Sequence, residues 1–396
     1  MLSTGVSYVY DETGSVHIDP AGRARVSQPT TLFDGKTLTT DDTDLWDTLG
    51  TGSAVFSSNL MSMSVTAGQY EIRQSKIYTP YFSGKPQLVE MTFDTFQLQQ
   101  GVIKRFGYFS SSATPPYNTA FDGWYVESDG VNNTYKLCVV NNGVFKLNLD
   151  WTQWDGYSSI KTYDWSDFTV AFVDFLWLGG AVLRLFLKLP TGGFLLCHTF
   201  NYAGTASGVF INNPQLPVRY EIRSTTGSGT FQAICSQVAT EGSLSERGKA
   251  LALYTPTTVT CNAIGTIYAL LGVRKTAQFR NTSVRITAYN GAIAGATSDA
   301  GMLFLIKNPT LSTSLTWTAN SKVAVGTVTA QTVTPNTGRV IAAISIVSSG
   351  VSADLAENAL AELSISTNDT ADEYILAYTP YTINQSISAS IAILEY

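Results

Sequence analysis

Charge is what this sequence has least of. Among 396 residues there are 24 Lys and Arg and 30 Asp and Glu, 14% of the chain, against about 25% in an ordinary soluble domain. The net charge is -6, which lacks the clustered positive field that a general nucleic-acid binder depends on. Only two histidines occur, His17 and His198. Two distant imidazoles do not make the three or four ligands of a zinc site, and we expect no cofactor. The four cysteines, Cys138, Cys197, Cys235 and Cys261, are far apart. Without CxxC or CxxH spacing, a zinc knuckle or a thioredoxin-like centre is excluded. Cys138, Cys197 and Cys235 lie in apolar runs and read as buried thiols. No apolar run reaches the roughly 18 residues of a membrane helix, so no membrane segment is expected. The opening MLSTGVSYVYDETG lacks the basic start and apolar core of a signal peptide, which points to synthesis in the cytoplasm.

Ser, Thr, Asn, Gln and Gly take the place of charge. Residues 1–30 are polar and turn-rich, with Pro20 and Pro29, and read as an extended arm. From Thr31 onward the chain breaks into short alternating or apolar segments separated by Gly, Asn, Asp and Pro. TYKLCVV, NNG and VFKLNLD predict a hairpin around an Asn-Gly turn. VLRLFLKLP, TGG and FLLCHTF predict a second. QLVEMTFDTF, FDGWYVES, KTYDWSDF, PVRYEIRST and TFQAICSQV read as further strands. Serine-rich GSLSERGKA is a candidate link. Beyond it TIYALLGVR, SVRITAYNGAIAG, MLFLIKNP, SKVAVGTVTAQTVTP, RVIAAISIVSSG, EYILAYTP and SISASIAILEY are all strand-sized. ADLAENALAELS, 353–364, fits a short helix or an edge loop equally. We therefore expect an all-β chain of two β-sandwich or jelly-roll domains, 31–243 and 244–396, preceded by the arm 1–30.

No catalytic set is legible. Cys197 and His198 are adjacent on a strand, so their side chains diverge. Neither a nucleophile elbow, a Walker A loop nor a dinucleotide fingerprint is present. Paired carboxylates would suit a glycosidase, and Glu90, Asp94, Asp122, Glu127, Asp150, Asp155 and Asp174 fall near Trp124, Trp151, Trp154 and Trp177. Core packing explains those aromatics better, so the chain is expected not to be an enzyme. In WTQWDGY a turn would bring Trp151 and Trp154 outward together, which makes them candidate glycan contacts. In PVRYEIRST, Arg219, Glu221 and Arg223 share one strand face and are suited to charge-assisted pairs with neighbouring strands. With Arg73 and Lys76 they form a candidate interface.

Taken in order, several of these segments resemble a family of virion structural proteins of tailed bacteriophages. The pieces are TTLFDGKTL with DDTDLWD, EIRQSKIYTPYFSGKPQLVEMTF (71–93), VIKRFGYF (102–109) and FDGWYVES (121–128). The strongest are DFTVAFVDFLWLGGAVLRLFLKLPTGGFLLCHTFNYAG (167–204) and NPQLPVRYEIRSTTGSGTFQAICSQVATEGS (213–243). The resemblance implies a passive head-decoration, neck or tail-associated protein, assembled into a virion in the host cytoplasm. It implies a homo-oligomer, a trimer or hexamer, with capsid, neck or tail proteins as partners and no nucleic acid or membrane. It carries over no catalytic residue. The alternative is an appendage that binds a receptor or a host surface glycan, and a polysaccharide-cleaving enzyme ranks below both.

Overall fold

The computed structural model describes residues 28–36, 38–111, 122–180, 182–204, 208–242, 248–294, 299–347, 351–354 and 361–396. The chain is all-β. It divides into two compact units, Met1–Ser245 and Glu246–Tyr396, and each unit is a pair of antiparallel sheets. The expected arm lies outside the described residues up to 27. Its last residues do not: Pro29 and Thr30 already belong to a strand, Pro29–Gly35, paired with Gly229–Glu241.

In the first unit, one sheet runs in the order Val144–Asp150, Thr134–Asn141, Asp122–Asp129, Val102–Ser110, Val218–Ser224, Tyr70–Ser75, Trp46–Gly50. We call it the charged sheet. The other runs Phe194–Asn201, Val182–Lys188, Thr169–Leu176, Gln87–Asp94, Gly229–Glu241, Leu60–Val65, Ser53–Ser57. Alternation along the strands makes the core. On the charged sheet, Tyr220, Phe106, Val126 and Leu137 lie opposite one another in register and face inward. They meet Val89, Met91, Phe93, Val173, Phe175 and Leu185 of the other sheet. Aromatic rings carry much of this contact: Phe93 lies 4.2 Å from Phe106 and Tyr220 lies 5.8 Å from Phe231, centroid to centroid.

Both expected hairpins are present. Thr134–Asn141 and Val144–Asp150 are joined by Asn142 and Gly143, both at positive φ (46° and 78°). That is the geometry for which Asn-Gly is favoured, because its twist matches the flanking strands. One expectation fails. KTYDWSDF is not a strand; it is a turn and loop region from which Trp165 enters the core. WTQWDGY holds a short 3-10 helix, Trp151–Gln153, followed closely by a four-residue helix, Tyr157–Ile160.

The second unit packs a five-stranded sheet on a seven-stranded one. Gln385–Glu395 is central to the smaller sheet and alternates as far as Ile393: Ile387, Ala389, Ile391 and Ile393 are buried, while Ser388, Ser390 and Ala392 between them are half-buried. They pack with Leu303, Leu305, Leu376 and Tyr378 of the larger sheet. Of the segment 353–364, Val351–Asp354 closes as a strand against Val284–Ala294, and 355–360 lies outside the described residues.

All four cysteines are thiols. Cys138, Cys197 and Cys261 are buried, and Cys235 is exposed. The exposure of Cys235 departs from the expectation for an apolar run. Its cause is a bulge: the ladder to Gln87–Asp94 skips from Ala233 to Ser236, which takes Ile234 and Cys235 out of the alternation.

Candidate functional site

Two places in the first unit collect polar chemistry. The first is the face of the charged sheet turned away from the core. Arg219, Glu221 and Arg223 share that face as expected, because the intervening Tyr220 and Ile222 join the core. Across the strands Glu221, Arg105, Glu127, Lys136 and Asp150 are in register. The Arg105 guanidinium lies 2.7 Å from Glu127 and 3.5 Å from Glu221, and it stacks 4.7 Å from the Tyr125 centroid. Arg219 pairs with Glu221 and donates to the Gln74 side-chain oxygen. Lys136 reaches Asp129 at 2.6 Å and Glu127 at 3.6 Å. Along the row Glu221, Arg105, Glu127, Lys136 and Asp150 the sign of charge thus alternates across the sheet, which satisfies charges that would be costly to bury singly.

This face is not free surface. Arg219 and Glu221 are buried. Arg73 belongs to the opposite face: it is in register with Tyr220, lies 4.7 Å over Trp46, and pairs with Asp41 at 2.7 Å. Lys76 sits just beyond its strand, half-buried, its backbone N–H bonded to the Leu45 carbonyl. The five residues expected to form one interface therefore divide between two faces and a strand end. The physical reason is register, which places Arg73 and Arg219 on opposite sides of the same sheet.

Asp129 shows what holds the edge of this network. Desolvation raises its pKa. The Asn132 amide, Lys136 and the Asn132 backbone N–H outweigh that and bring it down to about 2. Of the carboxylates considered for sugar cleavage, Glu127 belongs to this same network. Asp122 accepts the backbone N–H groups of Asn142 and Asn212. Asp174 is buried against Arg184 on the other sheet. Glu90, also there, is raised in pKa by burial. No two of them are assembled as an acid and a nucleophile among the described residues. No group of three His, Cys, Asp or Glu fit for a metal occurs among them either.

The second place is WTQWDGY. Asp150 caps the 3-10 turn by accepting the Thr152 N–H at 2.9 Å, and this turn separates the fates of the two tryptophans. Trp154 is 3% exposed and donates its indole N–H to the Leu149 carbonyl at 3.2 Å. The expected outward pair is thus corrected: the turn drives Trp154 into the core. Trp151 stays half-buried, edge-on to Tyr135 (4.9 Å) and Tyr157 (5.6 Å). Thr152, Gln153, Ser158 and Ser159 are exposed around it.

The far end of this segment is pinned to the edge strand Phe194–Asn201. The Gly156 N–H bonds the Cys197 carbonyl at 2.9 Å, and Asp155 accepts the Thr199 N–H at 2.9 Å. His198 Nδ1 lies 3.0 Å from Asp155. Burial lowers the His198 pKa, against the opposing pull of that carboxylate. Cys197 points into the core, so the adjacent thiol and imidazole diverge as expected. Sequence reasoning missed Tyr135 and Tyr157, and it took Asp155 as a candidate acid, whereas the structure makes it the pin to the edge strand. Only the aromatic content and the Asp-Gly of WTQWDGY hinted at it.

No known family and no curated protein matches the chain. Solved structures do resemble it. The Emp47p carbohydrate recognition domain is 12% identical, with 56% of this chain and all of that one covered, at a TM-score of 0.37. The exoplasmic/lumenal domain of VIP36, solved with Ca2+ and Man3GlcNAc, is 9% identical, covering 53% and 89%, at 0.35. A protein of unknown function from Shewanella oneidensis MR-1 is 9% identical, covering 56% and 90%, at 0.36. Similarity this distant carries no functional argument. The structures named are two carbohydrate-binding domains and a protein of unknown function, none of them a phage virion component, and the expectation of a virion component is withdrawn. The capsid, neck or tail partners, the virion-based oligomer and the location in a particle fall with it.

Proposed function

We propose that the chain is a carbohydrate-binding protein and that its first unit binds sugar at the Trp151 edge. The observation that carries this is the half-buried Trp151, packed on the core cluster and braced by Tyr135 and Tyr157, within a segment of exposed Thr152, Gln153, Asp155 and Ser158. A pyranose offers an apolar C–H face and a rim of hydroxyls. An aromatic edge with neighbouring amide, hydroxyl and carboxylate groups complements both. The capping and pinning bonds hold the segment before any ligand arrives, which lowers the ordering cost of binding. Nothing in this arrangement transfers a group; the role is recognition.

A saccharide array screened with the full chain, followed by calorimetric titration of the best ligand, tests the proposal. Trp151→Ala should weaken binding at least about tenfold, as loss of an aromatic anchor does, with the fold retained by circular dichroism. Unchanged affinity in that variant, or no saccharide bound at millimolar concentration, would overturn it.

A further inference from the structure

In the first unit, the sheet opposite the charged one has an outward face that is sealed. Its strands alternate, and Val89, Met91, Val173, Leu185 and Leu187 join the core. The residues between them point the other way. In register across six strands, Asp34, Gln237, Glu90, Phe172, Phe186 and Leu196 form one outward row. Ala239, Leu88, Asp174, Arg184 and Thr199 form the next. None of the apolar members belongs to a core cluster. Yet Phe186 is 2% exposed, Asp174 1% and Arg184 4%. Side chains on an open face are not so fully excluded from water, so this face has a cover.

The patch is apolar and carries an excess carboxylate. Phe172 meets Phe194 edge-on at 4.7 Å. Lys188, at the rim, lies 4.5 Å over the Phe194 ring and donates to the Gly192 carbonyl. Asp174 pairs with Arg184. Glu90 has no ion pair among the described residues, and burial raises its pKa. Two carboxylates thus share one buried guanidinium, and a further cation would complement them.

Residues 1–27 are placed to supply both cover and cation. They lead into Pro29–Gly35, the strand at one end of both rows. There the Gln28 carbonyl accepts the Gly242 N–H at 3.2 Å, and Thr31 accepts from the Gln237 amide at 3.0 Å. From this strand to Leu196 is five strand spacings, about 24 Å, and the 27 residues span up to about 90 Å when extended. Arg23 and Arg25 are the only Lys or Arg among them. Arg25 precedes Pro29 by four residues, a reach of about 13 Å, and Glu90 lies two spacings, about 10 Å, from the strand. Val16, Ile18, Tyr8 and Tyr10 follow further out.

We infer that residues 1–27 fold back over the outward face of their own sheet, with Arg23 and Arg25 meeting Glu90 and Asp174 and the apolar residues covering Phe172 and Phe186. The face is an internal docking surface, and it does not depend on sugar binding at Trp151.

The test uses the full chain with the photoreactive residue p-benzoylphenylalanine in place of Phe172 or, in a second protein, of Phe194, each checked by circular dichroism. Irradiation and peptide mass spectrometry should place the cross-link within residues 1–27, in a product with the mass of one chain. Reversing both charges, Arg23→Glu with Arg25→Glu, should lower its yield at least about tenfold, since like charges would then face each other. Cross-linking to any other segment or to a second copy overturns the inference, as does no cross-link at either position or a yield unchanged by the reversal. Saccharide titrations of the unmodified chain are a separate measurement, so failure here leaves the Trp151 site standing, and failure there leaves this one.

Discussion

Single side chains here do their work through partners, and removing one partner is the informative experiment. Glu221 is fully buried between Arg219 and Arg105. Glu221→Ala should cost about 3–5 kcal/mol, since it strands buried cations; urea denaturation checks this. Asp129 makes an acid-side prediction. Its folded pKa, about 2, lies below its ordinary value of 3.8. It therefore contributes stability above 3.8 that is lost as the pH falls through about 2. The stability gap between the native chain and Asp129→Asn should close over that window, as denaturation at stepped pH would show. His198 runs the other way in charge. Burial favours its neutral form, so in a His17→Gln background the one remaining histidine should titrate below 6.5 by NMR.

At the scale of elements, turns and caps decide what patterning leaves open. The Asn142-Gly143 turn was legible because positive φ at both positions demands those residue types. Gly143→Val should destabilise the first unit by about 1–3 kcal/mol through backbone strain, measured by thermal unfolding. WTQWDGY was not legible in the same way. Its two tryptophans, three apart, fit a turn with either or both outward, and the Asp150 cap together with the edge-strand bonds of Asp155 and Gly156 chose. Trp154→Ala should therefore cost about 3–5 kcal/mol as a core deletion, whereas Trp151→Ala should act on binding.

For the whole molecule, each unit closes its own core. Among the described residues, the large cluster draws on residues from Leu32 to Val238, and the second unit's clusters on residues from Leu251 to Ile393. We expect 1–245 and 246–396, produced separately, to unfold cooperatively, each with its own transition in calorimetry. Failure of either piece to fold alone would contradict that independence.

By itself the sequence determined the all-β class and both hairpins. It also determined that Arg219, Glu221 and Arg223 share a face. Each follows from local causes: a side-chain period of two, β-branched and aromatic strands, and turns requiring positive φ. The tertiary structure alone decided which face each strand turns inward and which strands are neighbours. Register set Arg73 against the core while Arg219 joined the charge ladder, and a bulge brought Cys235 to the surface. Cys261 and Gln385, more than a hundred residues apart, became neighbours in one sheet. Such pairings depend on the burial of two whole sheets against each other, a collective free energy that no short stretch of sequence contains.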